Sequence, residues 1–329
     1  MQRILLVKTT SLGDVIHCLP AVSDVAAHFP KVRIDWVVEE PYAGIVALHP
    51  AVTHALPVAV RRWRKSLLAR ATWDEIGAFK RRLAPEGYDR VIEAQGLIKS
   101  ALLALMARGE RHGLDAASAR EGIATRTYQF RHHVPWTLDA VARNRRLLGL
   151  ALGYEAPRGE PRYGIHVARA DFDWLPRRRY CMLLTGTADG AKLWPEERWP
   201  ELARLAVAAG YTCLLPHGSS TEEARAARIA APLGEAGMLV PRMALTELAR
   251  VLAGADLVVG LDTGLTHLAA ALDRPTVGVY CGSRPAETGV IARRAVSVGD
   301  VAATPSAAAV WEAALGLVAA PALAPAPAA

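Results

Sequence analysis

The residues best suited to chemistry fall in three short stretches. In the first, Lys8-Thr9-Thr10-Ser11-Leu12-Gly13-Asp14 follows the apolar run 4–7 and precedes Pro20. Proline is tolerated in the first turn of a helix and disruptive farther inside, so Pro20 marks a helix start and Asp14 lies in or near the loop before it. A carboxylate there either faces a ligand cleft or caps a helix. In the second stretch, Thr185-Gly186-Thr187-Ala188-Asp189-Gly190-Ala191-Lys192 joins a strand-like run to a helix-like one. Small residues and hydroxyls with a lysine at such a junction can cradle a diphosphate on backbone N–H groups, the ammonium serving as counter-charge; a plain turn with a solvated lysine is the other reading. The third, Asp262-Thr263-Gly264-Leu265-Thr266-His267, has the same form. Asp262 or Thr263 can cap a helix, or Thr263, Gly264 and the helix start can hold a phosphate with His267 one turn in. Two such junctions in one half of the chain point to a nucleotide diphosphate.

Other chemistries are disfavoured. Neither GxGxxG nor GxxxxGK[ST] follows any strand-like run, which argues against a nicotinamide dehydrogenase and a P-loop kinase. Asp171-Phe172-Asp173 has the spacing of a metal-binding DxD but no strand ahead of it, so no metal site is expected there. Cys18, Cys181, Cys213 and Cys281 show no zinc or disulfide spacing and read as reduced, mostly buried thiols.

Elements must position these loops. Strand-like runs at 4–7, 32–38 and 91–92 alternate with helix-like segments at 20–28 and 97–106. The alternation breaks between Gly153 and Arg179, a stretch holding Pro157, Pro161 and Pro176. It resumes with strands at 180–184, 211–215, 257–259 and 276–280 and helices at 196–208, 221–231, 245–253 and 265–272. Two βαβ series imply an α/β protein of two Rossmann-like, parallel-sheet domains facing across a cleft, with ligands at the carboxyl ends of the strands. The expected division is an N-terminal domain over 1–155, a connection over 156–178, a C-terminal domain over 179–318 and a disordered Ala/Pro tail over 319–329.

The 329 residues are 52% hydrophobic with a mean hydropathy of +0.15, enough for a sizeable core, and no run of about 18 uncharged apolar residues can span a bilayer. The apolar run 4–7 is too short for a signal peptide, so a cytoplasmic protein is expected. The net charge of +7 is uneven: residues 56–150 hold 18 Lys+Arg against 9 Asp+Glu, leaving the remainder slightly acidic. Such a concentration signals an anionic partner, whether nucleic acid, an anionic membrane or a phosphorylated substrate.

Taken together, VKTTSLGDVIHCLPAV, DWVVEEPYAGI, RRWRK from Arg61, EAQGLIKSA from Glu93, KLWPEERW from Lys192 and DTGLTHLAAALDRPTVGVY from Asp262 resemble the ADP-heptose:lipopolysaccharide heptosyltransferases, nearest to the branch that adds the first inner-core heptose. The resemblance covers about residues 1–318. It implies the GT-B architecture, an inverting and metal-independent transfer without cofactor, an ADP-heptose donor in the C-terminal domain and a Kdo-lipid A acceptor in the N-terminal one. By its motifs Asp14 is the catalytic base and Lys192 meets the charge on the leaving diphosphate. Thr187, Lys192, Glu222, Met243, Asp262, Thr263, Gly264 and His267 then bind the donor, and Arg61, Arg64, Lys65, Arg120 and Arg143 bind the acceptor. An alternative for Glu222 is a solvated surface carboxylate, and for Met243 a core position. Two departures stand out: Ala188 replaces a second threonine in the diphosphate loop, and Asp139 stands where some relatives carry histidine. The resemblance also implies a peripheral place at the cytoplasmic face of the inner membrane. The rival readings are a second-heptose transferase or another ADP-sugar transferase, and, more distantly, a basic nucleic-acid-binding protein. With 6% aromatics and no recognisable nucleic-acid motif, no nucleic-acid partner is expected.

Overall fold

The apolar run that opens the chain is buried along nearly its whole length, as a strand covered on both faces of a parallel sheet must be. The computed structural model describes residues 3–319. Its strands are β1 (Arg3–Val7), β2 (Arg33–Glu39), β3 (Val52–Val58), β4 (Arg90–Glu93), β5 (Glu110–Leu114), β6 (Phe130–His132), β7 (Tyr180–Leu184), β8 (Thr212–Leu215), β9 (Gly237–Leu239), β10 (Leu257–Leu261), β11 (Thr276–Tyr280) and β12 (Ala295–Gly299). They form two six-stranded sheets, ordered β3-β2-β1-β4-β5-β6 and β12-β11-β10-β7-β8-β9, every neighbouring pair parallel. Counted within its own half, the second order repeats the first. Each has the Rossmann arrangement, whose order reverses between β1 and β4 in one sheet and between β7 and β10 in the other.

The chain divides into two compact units between Val167 and Ala168. That division falls within the stretch expected to connect the domains. In its first part Gly164, at φ +67°, fits against His49 and Ser23 only because it lacks a side chain. In its second part Ala170 N–H donates to Arg250 O at 3.0 Å. Each half of the connection is thus tied to its own unit.

Local signals explain several boundaries. Pro20 occupies the first turn of the helix Leu19–His28. Asp139 Oδ1 accepts Ala142 N–H at 2.8 Å and caps the helix Ala140–Leu152, which Gly153 closes in the left-handed conformation. That cap is the role the structure gives the Asp139 departure. Trp199 is fully buried in the second unit's core, edge-on to Trp194 at 5.0 Å, and anchors the helix Arg198–Ala208.

The structure corrects the sequence reading in two ways. Asp14, expected in or near the loop ahead of Pro20, lies in a separate one-turn helix within that connection, Leu12–Ile16. Strands β3, β5, β6, β9 and β12 and the helices Arg70–Arg82, Ala140–Leu152 and Ala307–Ala319 go beyond that reading. Pro57, His54, Glu110 and Arg111 mask the strand pattern in β3 and β5, while β6, β9 and β12 are short or lie at sheet edges. Of the expected tail, Ala319 closes the last helix; residues 320–329 lie outside the described residues.

Candidate functional site

In the second unit the loops after β7 and β10 leave the sheet on either side of its switch point, where a crevice opens in folds of this order. Asp262, directly after β10, is buried and is the centre of a polar cluster. Its Oδ2 accepts Lys192 Nζ at 2.6 Å, Ser283 Oγ at 2.7 Å and Thr288 Oγ1 at 3.3 Å, and its Oδ1 lies 3.1 Å from His267 Nε2. Burial alone would raise its pKa; the hydrogen bonds from His267, Lys192 and Ser283 outweigh it and hold the carboxyl well below the usual range. Asp262 is therefore ionised, and it fixes Lys192 in place. It does not cap the helix Gly264–Ala271. Thr263 holds the N-cap position without a side-chain cap bond, and Thr266 Oγ1 turns back to Leu261 O at 2.6 Å. The first N–H groups of a helix have no acceptor within it, so this helix start offers donors to an anion beside the Lys192 ammonium.

Lys192 reaches Asp262 because its loop lies directly on Gly282: a side chain at 282 would collide with the Ala191 carbonyl and approach Lys192 N to 3.0 Å. Within the loop, Thr187 Oγ1 accepts Asp189 N–H at 3.3 Å and Asp189 Oδ1 accepts Ala191 N–H at 3.0 Å. Glu222 belongs to a capping box on the helix Ser220–Ala230, with Ser219 Oγ accepting Glu222 N–H at 3.2 Å and Glu222 Oε2 accepting Gly218 N–H at 2.7 Å. Its Oε1 turns to Gly186. So Glu222 is a half-buried cap with one oxygen directed at the diphosphate-type loop, not a freely solvated carboxylate. Met243 is half-buried in the loop after β9. All eight expected donor residues thus lie in the loops and first helical turns that follow β7, β8, β9 and β10 of a single sheet.

The first unit repeats the arrangement around β1 and β4. Glu93, fully buried at the end of β4, accepts Gln95 N–H and Gly96 N–H at 2.9 Å each and Tyr128 OH at 2.5 Å. So fixed, Gln95 Oε1 accepts Thr9 N–H at 2.8 Å and Thr10 N–H at 3.1 Å, and Lys8 Nζ donates to Ala94 O at 2.7 Å. These bonds hold the loop that leads into the helix Leu12–Ile16. Asp14 Oδ2 accepts Ser11 N–H at 2.7 Å, and Arg120 Nη2 approaches Asp14 Oδ1 at 3.4 Å. The cap reading of Asp14 is correct for one oxygen; the other is left to Arg120. Gly96, at φ +68°, makes that approach possible, since a side chain there would press on Ala119 and on Arg120 N at 3.1 Å.

The basic residues do not behave alike. Arg61, Arg64 and Lys65 are exposed and make no side-chain ion pair among the described residues, whereas Arg62 between them is bound to Glu75 at 2.7 Å and Glu40 at 3.3 Å. Arg143 is already occupied: its guanidinium donates to Val134 O, Pro135 O and Ser118 O at 2.7–2.9 Å and stacks 3.8 Å over Trp136. It clamps the loop before Arg120 more than it offers a free fork.

Lys99 is a residue that reading the sequence for sites missed. Its Nζ donates to Thr10 Oγ1 at 3.0 Å. Burial lowers its pKa and neighbouring Arg61 and Arg64 lower it further, with Glu39 and Asp14 opposing, so it lies electrostatically between the basic segment and Asp14. Ser283 and Thr288 were missed too. A lone lysine on a helix or serine in a loop has no spacing signal; only the fold brings them to a carboxylate.

Among the described residues no group of three or more His, Cys, Asp or Glu side chains converges as metal ligands, and no helix is long and apolar enough to cross a membrane. Cys18, Cys181 and Cys213 are buried and unbridged, and Cys281 is half-buried and unbridged.

Known proteins share this sequence and fold. Residues 76–313 match glycosyltransferase family 9 (heptosyltransferase). Lipopolysaccharide heptosyltransferase 1 of Pseudomonas aeruginosa is 47% identical over 301 residues, 91% of this chain and 84% of its own length. The protein of that name from Escherichia coli K12 is 44% identical over 287 residues, 86% of this chain and 89% of its own. The solved structure of E. coli heptosyltransferase WaaC with ADP matches with a TM-score of 0.86 at 41% identity, covering 94% of this chain and 98% of that one. That match bears out the expected α/β class with two Rossmann-like sheets of GT-B type.

Proposed function

Since this chain belongs to glycosyltransferase family 9, the heptosyltransferases, we propose that it moves heptose from ADP-L-glycero-D-manno-heptose to a Kdo residue of Kdo-lipid A, building the lipopolysaccharide inner core. Transfer inverts C1 and uses no metal. The observation that carries this reading is the Lys192–Asp262 pair beside the helix start at Gly264, in a chain 44–47% identical to lipopolysaccharide heptosyltransferases 1.

On the donor side the diphosphate lies over the N–H groups at Thr263 and Gly264, with Lys192 as counter-charge and Thr187 as a hydroxyl donor. Asp262 and His267 support from behind, and Ala188 leaves more of the binding to backbone N–H groups. Glu222 Oε1 accepts from ribose hydroxyls and Met243 borders the adenine. As the C1–oxygen bond to the diphosphate breaks, its electron pair moves to the ADP oxygen, and the preorganised positive charge of Lys192 and the helix start meets it there.

On the acceptor side an alcohol is a poor nucleophile at neutral pH. Asp14 takes the proton of the acceptor hydroxyl as the oxygen bonds to C1 from the face opposite the leaving group, a contribution of roughly 10²–10⁴-fold. Arg61, Arg64 and Lys65 bind carboxylates and phosphates of the glycolipid head, Arg120 does so beside Asp14, and Arg143 keeps Arg120's loop in place. The protein works from the anionic cytoplasmic face of the inner membrane; the excess of positive charge in 56–150 supports that placement.

The test is a product assay with ADP-heptose and Kdo2-lipid A, beside an already heptosylated acceptor. Heptose should enter the first. Incorporation only into the second would make this a second-heptose enzyme, and incorporation into neither would overturn the reading.

A further inference from the structure

The segment just after the basic run exposes apolar side chains that have no reason to face water. Ser66 to Ala69 form a tight turn, Ala69 N–H donating to Ser66 O at 3.0 Å, with Leu67 and Leu68 at its tip. Leu68 is fully exposed, Leu67 is 53% exposed and Trp73, on the first turns of the helix Arg70–Arg82, is 59% exposed. The turn is not slack. Trp73 Nε1 donates to Leu67 O at 2.8 Å and Thr72 Oγ1 to Ser66 O at 2.8 Å, so two carbonyls of the turn are fixed to the helix and the leucines are held outward. The helix buries Thr72 and Phe79 and packs Ile76 on the core; Trp73 falls off that stripe.

The run that leads to this tip is basic. Arg61, Arg62, Arg64, Lys65 and Arg70 lie within 61–70, where there is no acidic residue. Arg70 stands in the first turn of its helix, where a cation opposes the helix dipole, and Asp74 approaches it only at 3.9 Å. Glu75 and Glu40 hold Arg62, but Arg61, Arg64 and Lys65 make no side-chain ion pair among the described residues. Apolar tip, exposed tryptophan and a largely unpaired basic flank are together what an anionic bilayer surface takes, since one weak apolar signal plus a basic cluster is enough for reversible binding.

We propose that Leu67, Leu68 and Trp73 form a wedge that enters the interface of an anionic lipid bilayer, with Arg70 on the headgroups beside Arg61, Arg64 and Lys65, which take the anionic head of the acceptor in that same surface. This deepens the functional reading, which requires a lipid-borne acceptor, by naming the part of the protein that reaches the bilayer.

The experiment uses the full chain and cosedimentation with vesicles of phosphatidylethanolamine and phosphatidylglycerol (7:3) against phosphatidylcholine alone. Wild type should bind the anionic vesicles, less as salt rises, and the double variant Leu67→Ser/Leu68→Ser should bind at least ~10-fold more weakly, the loss expected when two leucines no longer leave water. Trp73→Ala should fall between them. None of the three residues touches the proposed active-site groups, so transfer to a water-soluble Kdo acceptor without acyl chains should be unchanged in the double variant, while transfer to vesicle-borne acceptor drops in parallel with binding. Equal vesicle binding by wild type and double variant overturns the wedge, whatever the transfer assay shows. Wild-type binding through the wedge with no heptose transfer to either acceptor would instead overturn the activity and leave the wedge standing. A wild-type dimer in sedimentation that the double variant turns into monomer would mean that a second copy covers the patch, and would overturn the proposal.

Discussion

Lys192 Nζ and Asp262 Oδ2, 70 residues apart in the chain, meet at 2.6 Å at the switch point of the second sheet. The carboxylate is buried and the ammonium is one-quarter exposed, so the pair presents a positive group to the loop edge and hides its negative one. Lys192→Met should therefore weaken ADP binding and lower kcat/KM by roughly 10²-fold, the usual effect of removing one charged donor from a developing oxyanion. Isothermal titration with ADP and steady-state kinetics check this. Unchanged values in both would remove Lys192 from the site.

Asp262 also makes a prediction in pH. Its folded-state pKa is depressed below the ordinary carboxylate value, so its stabilisation is complete above about pH 4 and is lost as pH falls through that value toward the folded pKa. Melting curves between pH 6 and 2 should show Asp262→Asn, already less stable at pH 6 by about 1–3 kcal/mol, converging on wild type in acid. Parallel curves would contradict the assignment.

Asp14→Asn keeps the shape of the short helix and removes the proposed base. We expect kcat to fall ~10²–10⁴-fold with ADP affinity unchanged, because Asp14 and the donor loops belong to different units. Stability should change by less than about 1 kcal/mol, the scale of one cap. Near-normal turnover would show that another group takes the proton.

Arg143 is bound to three carbonyls and stacked on Trp136, so its loss should be structural before it is functional. Arg143→Lys should destabilise the first unit by about 1–3 kcal/mol, because an ammonium cannot satisfy the fork and the stack together. Circular-dichroism melting checks it. A lysine variant of wild-type stability and raised KM would make Arg143 a direct acceptor ligand.

His112 and His49 are held neutral. Burial, with His132 beside the first and His166 beside the second, lowers each to about 4. Because these folded-state values lie below the ordinary 6.5, the unfolded chain takes up protons first, and stability is full above about pH 6.5 and falls progressively toward pH 4. The melting temperature should drop by several degrees between pH 7 and 4.5, and less steeply in His112→Gln. A flat profile in wild type would be inconsistent with neutral buried imidazoles.

The central strands, the break between the two βαβ series and the loops that carry Asp14, Lys192 and Asp262 were legible in the order of residues. Unbroken apolar runs flanked by glycine and small residues leave few other readings, because a buried parallel strand excludes polar side chains from both faces. The unequal charge of 56–150 was legible there too. Edge strands such as β3, with His54 and Pro57, were not legible, since a strand with one open side has no need of that pattern. The partners became visible with the fold: that Asp262 holds Lys192 instead of capping a helix, that Arg143 is a clamp while Arg61 and Arg64 make no ion pair among the described residues, and that Lys99 stands between them and Asp14. Those facts depend on which loops the strand order makes adjacent, and on close approaches at Gly96 and Gly282 that depend on missing side chains. Local sequence sets what a loop can offer; contact between loops far apart in the chain is fixed by the sheet.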